Sequence, residues 1–305
     1  MSVPDGPGGV APGTVRVVEA GTVPYGIALG WQSDLHRRRV AGEIGDVVLL
    51  LEHPHVYTLG RRFSADHLLA DPEVLRRRGI EVYEADRGGS ITYHGPGQLV
   101  GYPILALADP GSSPEIGSMR TPDAIAYLRD LEEVLIRAVA DFGIEAGRQE
   151  GLTGVWVGNE KLASIGVNMS RGVTKHGFAL NVDADLSYFS GMIPCGIPAV
   201  AVTSLERLLG AAPPMEVVRD SVVAHFGDVL HRTTVPGTLD SLGLSPELGL
   251  LRVTIPKEAT VLAFRRPKSS EGPAEARPGG AHRSAASGAE RPTGRQPEGT
   301  YHVDG

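Results

Sequence analysis

The sequence predicts an α+β domain built around a mixed or largely antiparallel sheet. Short runs with strand patterning are joined by hairpin-like turns, and longer runs with helical periodicity lie between them. Strands and helices do not follow one another in regular strand–helix–strand units, so a doubly wound parallel sheet fits less well.

Seven strands are predicted. The run Asp46–Leu51 is apolar on both faces and indicates a buried strand, whereas Phe178, Leu180 and Val182 alternate with smaller or polar residues. A plausible hairpin turn lies at 158–160. In chain order the strands are Val15–Val18, Asp46–Leu51, Ile80–Glu84, Gly154–Val157, Leu162–Val167, Phe178–Val182 and Leu251–Ile255.

Four helices are predicted at Tyr25–Val40, Pro122–Phe142, Ser204–Leu209 and Pro214–Leu230. In the second, Thr121 is placed to cap the helix, Pro122 suits its first position and Gly143 follows its end. The segment Ala108–Met119 before it is rich in Pro, Gly and Ser and is predicted to be a surface loop.

Composition divides the chain into three parts. Residues 1–13 and 265–305 have almost no large apolar side chains, so both segments are predicted to be disordered. Residues 14–264 are predicted to form the folded part, either one large domain or two small ones, with no internal repeat.

Charge and hydropathy exclude several classes of protein. The net charge of −7 argues against general nucleic-acid binding, and the longest aliphatic run is far shorter than a membrane span. The single cysteine can form no internal disulfide, which fits a reducing compartment. The prediction is a soluble, cytoplasmic protein that binds neither nucleic acid nor membrane.

A glycine-rich segment, Arg87–Gln98, is suited to close approach of backbone to a ligand. It lacks the Gly-Lys-Ser/Thr ending of a phosphate loop, so it does not indicate a nucleotide site. Judged by composition alone, an ordinary tight turn explains it better.

Cys195 lies between Pro194 and Gly196, a setting that suggests a nucleophile in an irregular turn; a buried, inert thiol is the alternative. Lys161 is one of only four lysines and begins the strand after the hairpin turn; it is either a proton-exchanging group or a solvated turn residue.

Six histidines precede the cysteine, and four of them are candidate ligands or bases: His53, His55, His94 and His176. A Cys-His pair remains open, but their spacing matches no common metal-binding motif, so no metal site is predicted.

Together these segments resemble the lipoyl(octanoyl) transferases, and they cover roughly Val15–Leu209 in the order of that family. The resemblance rests on Glu52-His53-Pro54, Thr58-Leu59-Gly60-Arg61, Arg87-Gly88-Gly89, Thr92, His94, Pro96-Gly97-Gln98, Tyr102-Pro103, Gly154-Val155-Trp156, Lys161, Ser164-Ile165-Gly166-Val167, Thr174, His176-Gly177-Phe178-Ala179-Leu180-Asn181 and Pro194-Cys195-Gly196-Ile197.

The resemblance implies the fold of the biotin and lipoate protein ligases and an acyltransferase of lipoate biosynthesis. Octanoyl acyl carrier protein would be the donor, and the acceptors would be lysines on lipoyl domains of 2-oxoacid dehydrogenase complexes and on the glycine-cleavage H protein. The enzyme would need neither ATP nor another cofactor. A monomer is expected.

By matching position, Cys195 would carry the acyl thioester, and Lys161 would lower its pKa and then act as base. The substrate-binding residues would be Arg87, Gly88, Gly89, Ser90, Ile91, Thr92, Tyr93, His94, Ser164, Ile165, Gly166, Gly177, Phe178 and Ala179.

Two further features are expected from the residues. An apolar lining for the acyl chain is expected from Val155, Ile165, Val167 and Phe178. Docking of an acidic carrier protein would need a basic patch, for which Arg37–Arg39, Arg61–Arg62 and Arg76–Arg78 are candidates, although arginine runs also occur on solvated helix faces.

Three alternatives to the transferase differ from it in chemistry. An ATP-dependent ligase of the same fold would have no use for Cys195, and a noncatalytic carrier-binding protein would need neither Cys195 nor Lys161. A Cys-His hydrolase would pass the acyl group to water instead of an amine.

Overall fold

The main sheet is mixed, as the sequence predicts. In this computed structural model, which describes residues 13–107, 123–193 and 200–245, the strands are β1 (Thr14–Thr22), β2 (Asp46–Glu52), β3 (Val56–Leu59), β4 (Glu81–Glu84), β5 (Ile91–His94), β6 (Gln98–Ile104), β7 (Val155–Val157), β8 (Glu160–Ser170), β9 (Val173–Asn181), β10 (Ala201–Val202) and β11 (Thr233–Gly237). The main sheet has the order β10-β8-β9-β6-β2-β1-β11, with β7 paired to β8, and a smaller sheet has the order β4-β3-β5.

The helices cover both faces of the main sheet. They are α1 (Tyr25–Val40), α2 (Pro72–Arg77), α3 (Ala124–Ala140), α4 (Leu205–Leu209) and α5 (Met215–Leu230). Apolar residues of α3 and α5 pack on one face and those of α1 on the other. Strand β2 is buried on both faces for this reason, which confirms the interpretation of its unbroken apolar run.

The predicted elements within the described residues are confirmed, with shifted ends. Helix α1 has the predicted bounds, whereas α3 begins at Ala124 because Asp123 accepts hydrogen bonds from the N–H groups of Ile125 and Ala126. Thr121 and Pro122 lie outside the described residues, as do the Ala108–Met119 loop, the Leu251–Ile255 strand, residues 1–12 and residues 265–305.

Several elements were not predicted. Strands β3, β5 and β6 lie in segments rich in Gly, Pro and His, where local propensity favours turns, and they form because neighbouring strands pair with them. In particular, part of the glycine-rich segment is strand β5 and not a loop. No helix among the described residues has the length and apolarity needed to cross a membrane.

Candidate functional site

A cleft of about 580 Å³, counted with its open mouth, lies where the small sheet meets strands β8 and β9. It brings together the glycine-rich segment, the start of α1 and Lys161, which are far apart in sequence. Its lining residues are Tyr25, Arg87, Gly89, Ser90, Ile91, Thr92, His94, Tyr102, Lys161, Ser164, Ile165, Gly166, His176, Gly177, Phe178 and Ala179.

All but two of the predicted substrate-binding residues line this cleft. Gly88 lies beside it, and its N–H donates to the carbonyl of Val167 at 2.9 Å. Tyr93 is fully buried in the apolar cluster behind β5, because alternate residues of a strand point to opposite faces.

The floor of the cleft consists of small residues from two paired strands. Ser164 is opposite Ala179 and Gly166 is opposite Gly177 in the β8–β9 register. A Cβ at Gly166 would approach the carbonyl oxygen of Gly88 to 3.0 Å. Small side chains therefore leave the space between the two sheets open for a ligand.

The predicted apolar lining is only partly right. Ile165 and Phe178 border the cleft, whereas Val155 and Val167 do not line it and belong to the core beneath α3 and α5. Phe178 is itself part of that core, so its side chain is held on the helix-covered side of the sheet.

Lys161 lies in the wall of the cleft with only 5% of its surface exposed. Its Nζ is 5.2 Å from the centroid of the Trp156 ring, within the range of a cation–π contact. Gly154 makes room for it, because a Cβ there would lie 2.6 Å from Cε of Lys161. The N–H of Gly154 donates to the fully buried carboxylate of Glu132 at 2.9 Å, which holds this backbone in place.

Cys195 lies outside the described residues, within 194–199. On one side of this segment, the N–H of Ile193 donates to the carbonyl of His67 at 2.8 Å. On the other side, β10 pairs in parallel with the start of β8, and the N–H of Thr203 donates to the carbonyl of Lys161 at 3.0 Å. Residues 201–203, which follow Cys195 in sequence, are thus anchored directly at Lys161.

A charged cluster around Asp86 borders the cleft. Its carboxylate pairs with Nζ of Lys175 at 2.6 Å and with Nε2 of His176 at 2.7 Å, and it accepts from Nδ2 of Asn168 at 2.6 Å. Burial alone would raise the pKa of Asp86, but the hydrogen bonds from His176 and Lys175 outweigh it and hold the pKa far below its usual value.

Consecutive residues of a regular strand cannot reach one carboxylate, because they point to opposite faces. His176 does so through a left-handed backbone, with φ of 58°, and its N–H donates to the buried Oε1 of Gln32 at 2.8 Å. Such strain in a non-glycine residue is typical of functional sites.

Comparison with known proteins identifies the family. Residues 24–227 match the lipoyl protein ligase A/B catalytic domain. An octanoyltransferase of Rubrobacter xylanophilus is 50% identical over 212 residues, covering 69% of this chain and 90% of its own length. One from Solibacter usitatus is 47% identical over 219 residues, covering 72% and 94%. The chain belongs to the octanoyltransferases of this family.

The fold of this chain agrees with solved structures. A putative lipoate protein ligase from T. acidophilum, solved with bound lipoic acid, superposes with a TM-score of 0.61 at 17% identity over 77% of this chain and 94% of that one. Lipoate-protein ligase A bound with ATP gives a TM-score of 0.62 at 18% identity. This confirms the predicted ligase-like fold, shown here by the lipoate protein ligases.

Two residues of the cleft, Tyr25 and Tyr102, received no role from the sequence, and His176 was considered only as a histidine partner of Cys195 or a metal ligand. Tyr102 and His176 lie within the motifs that identify the family, but the motifs alone did not indicate what their side chains do. Tyr25 is the first residue of an ordinary-looking helix and gave no signal. Among the described residues, no group of three or more His, Cys, Asp or Glu is arranged to hold a metal ion.

The buried histidines predict a pH-dependent stability. Burial lowers the pKa of His53 from 6.5 to about 4, and it also lowers the pKa values of His94 and His176. Between these values and 6.5 the unfolded chain binds more protons, so the free energy of unfolding is expected to fall as the pH drops below 6.5. Each histidine contributes a slope of up to about 1.4 kcal/mol per pH unit.

Urea unfolding between pH 7.5 and pH 4.5 measures this slope. The variant His53→Gln is expected to reduce it, whereas His231→Asn, at an exposed position, serves as the matched control. A free energy of unfolding that stays constant over this range would contradict the prediction.

Proposed function

We propose that the protein transfers an octanoyl group from acyl carrier protein to a lysine of a lipoyl domain, through a thioester on Cys195. The observation that carries the proposal is a cleft whose wall contains a buried lysine, Lys161. The backbone of this lysine is hydrogen-bonded to Thr203, shortly after the single cysteine in sequence. The identity of 47–50% to octanoyltransferases over most of their length supports the same reaction.

In the first half-reaction, the thiolate of Cys195 attacks the carbonyl carbon of the carrier thioester. The bond to the carrier sulfur breaks, and the released thiolate takes a proton from the ammonium of Lys161. One thioester replaces another, so little driving force is needed and no ATP is consumed.

In the second half-reaction, the neutral amine of the acceptor lysine attacks the acyl-Cys195 thioester. A C–N bond forms, Cys195 leaves as thiolate, and Lys161 takes the proton that the nitrogen loses. Backbone N–H groups near Ser164–Gly166 or next to Cys195 in sequence are the proposed donors to the carbonyl oxygen as it gains charge.

The octanoyl chain is proposed to lie along the small-residue floor of the cleft. Arg87 shapes the opposite wall, since its guanidinium donates to the carbonyl of Thr58 at 2.6 Å and to the carbonyl of Gly88 at 3.0 Å. It thereby fixes the glycine-rich segment against β3. The other proposed substrate-binding residues, apart from His94, are proposed to bind the substrate by forming the walls of this cleft.

Intact-mass and peptide mass spectrometry after mixing the full chain with octanoyl acyl carrier protein, without ATP, tests the proposal. One octanoyl group on Cys195, discharged by apo lipoyl domain, is the expected result. Transfer that requires ATP would instead indicate a ligase, and release of free octanoate without transfer would indicate a hydrolase.

Carrier docking is proposed to use Arg61 and Arg62. Both side chains are exposed. The backbone N–H groups of Arg61 and Arg62 donate to the backbone carbonyls of Arg87 and Gly89, respectively, at the cleft. The other candidate runs are less suitable: Arg39 is paired with Asp46 at 2.7 Å, and Arg76 is paired with Glu73.

Reversing both charges, Arg61→Glu with Arg62→Glu, is expected to raise KM for the octanoyl carrier about tenfold or more, because charge complementarity controls encounter. Steady-state kinetics at two salt concentrations measures this effect. Reversal of Arg37 and Arg137, which are exposed and lie outside the cleft lining, is the matched control. Equal KM values in the two double variants would rule out the patch.

A further inference from the structure

One wall of the cleft contains the hydroxyl of Tyr102, whose hydrogen is used in a hydrogen bond to His53. Nδ1 of His53 lies 2.6 Å from the carbonyl of Val23, which can only accept, so Nδ1 carries the hydrogen. Burial keeps this ring neutral, and its Nε2 is therefore bare and accepts from the hydroxyl of Tyr102 at 2.6 Å. The oxygen of Tyr102 can then offer the cleft only lone pairs.

A second chain of hydrogen bonds fixes the His94 ring in the same sense. Nδ2 of Asn181 donates to the carbonyl of Thr203 at 2.9 Å, which leaves Oδ1 of Asn181 to accept from Nε2 of Gln98 at 3.0 Å. Nε2 of Gln98 also faces the carbonyl of Tyr93 at 3.3 Å, so both amide orientations are set by main-chain oxygens.

Oε1 of Gln98 consequently points at Nδ1 of His94, 3.2 Å away, and must accept its hydrogen. Burial favours the neutral ring of His94, whose Nε2 therefore carries a lone pair and no hydrogen. Within the described residues, no hydrogen bond to this Nε2 is formed.

The two acceptors line the same cleft and share a neighbour, His53. The rings of His94 and Tyr102 both line it, and both flank His53, with ring centroids 5.6 Å and 5.8 Å from the centroid of that histidine. Tyr25 also lines the cleft and stacks on His94 with a centroid distance of 6.1 Å. Both side chains are almost fully buried, which gives them fixed directions.

We infer that Nε2 of His94 and the hydroxyl oxygen of Tyr102 bind the two N–H groups of the acceptor lysine's neutral amine. This inference rests on the proposed function and assigns the site of its second substrate. A neutral primary amine has two N–H donors and one lone pair. Two fixed acceptors hold the donors and leave the lone pair free to attack the thioester carbonyl.

The charges around the cleft favour the neutral form of this amine. Arg87 lines the same cleft and its positive charge disfavours an incoming ammonium, while the carboxylate of Asp86 is paired with Lys175 and His176. A thiol, in contrast, has a single weak donor and gains little from two acceptors. The two acceptors therefore serve the amine half-reaction and not thiol exchange.

A partition experiment on the full-length acyl-enzyme tests the inference. Tyr102→Phe protein is acylated with octanoyl carrier, freed of donor and mixed separately with apo lipoyl domain or with unacylated carrier, whose thiol reverses the first step. Discharge to the lipoyl domain is expected to slow at least about tenfold relative to discharge to the thiol. The matched control is Tyr83→Phe, because Tyr83 is also mostly buried but does not line the cleft.

An unchanged ratio of the two discharge rates in Tyr102→Phe would overturn the inference while leaving the proposed function intact. Failure of the unaltered protein to form an acyl-enzyme would overturn the proposed function and the inference with it.

A second measurement does not depend on activity. Nitrogen-15 NMR of the histidine side chains near pH 7 is expected to show the hydrogen on Nδ1 in both His53 and His94. A hydrogen on Nε2 of His94 would make this atom a donor and would overturn the inference.

Discussion

Replacing Cys195 with alanine is expected to abolish octanoyl transfer, reducing kcat by about 10⁴-fold or more, because no other thiol in the chain can carry the acyl group. Single-turnover transfer to apo lipoyl domain, followed by mass spectrometry, measures the loss. The expected result is that neither the acylated enzyme nor the octanoylated domain forms.

The matched variant is Cys195→Ser, which keeps the size of the side chain and replaces the thiolate with a much weaker nucleophile. Circular dichroism and thermal unfolding should show both variants folded. Transfer by Cys195→Ala at near the original rate would contradict the thioester mechanism.

Replacing Lys161 with alanine is expected to slow both half-reactions by about 10²–10⁴-fold, since the same side chain gives a proton to the carrier thiolate and later takes one from the amine. Lys161→Arg is the informative comparison, because it keeps the positive charge but cannot release the proton. We expect Lys161→Arg to retain more acylation than discharge.

Rapid-quench kinetics of the two half-reactions measures this difference. Near-original rates of both acylation and discharge in Lys161→Arg would restrict Lys161 to an electrostatic role. Unchanged rates in Lys161→Ala would remove it from the mechanism.

Gly154 tests the placement of Lys161 without changing the lysine itself. A Cβ at this position would lie 2.6 Å from Cε of Lys161, and φ of 123° is a region that other residues rarely adopt. Gly154→Ala is expected to lower kcat strongly by displacing the lysine, as well as to reduce stability. Activity measured well below the melting temperature separates the two effects, and full activity there would show that Lys161 tolerates the shift.

Much of the architecture could be predicted from local sequence. Helix α1 has the predicted bounds because its apolar residues recur at the helical period, and β2 is buried on both faces as its unbroken apolar run indicates. The linear order of motifs was enough to name the family and nearly all of the residues that line the cleft.

Strands β5 and β6 could not be predicted in the same way. Gly, Pro and His favour turns locally, and only pairing with β2, β3 and β9 stabilises these segments as strands. The helix-side packing of Phe178 likewise depends on the pairing register and on α3 and α5, not on the residue's own hydrophobicity.

The sequence by itself therefore determined the fold class, the family and the identity of the candidate nucleophile and base, because these depend on residue types and their order. Only the tertiary structure decided which side-chain atoms in the wall of the cleft are hydrogen-bond donors and which are acceptors. The hydrogen on His94 is placed by Gln98, Asn181 and the carbonyl of Thr203, residues that meet only in the folded chain. Burial then excludes the water that would otherwise hydrogen-bond either tautomer of each imidazole ring.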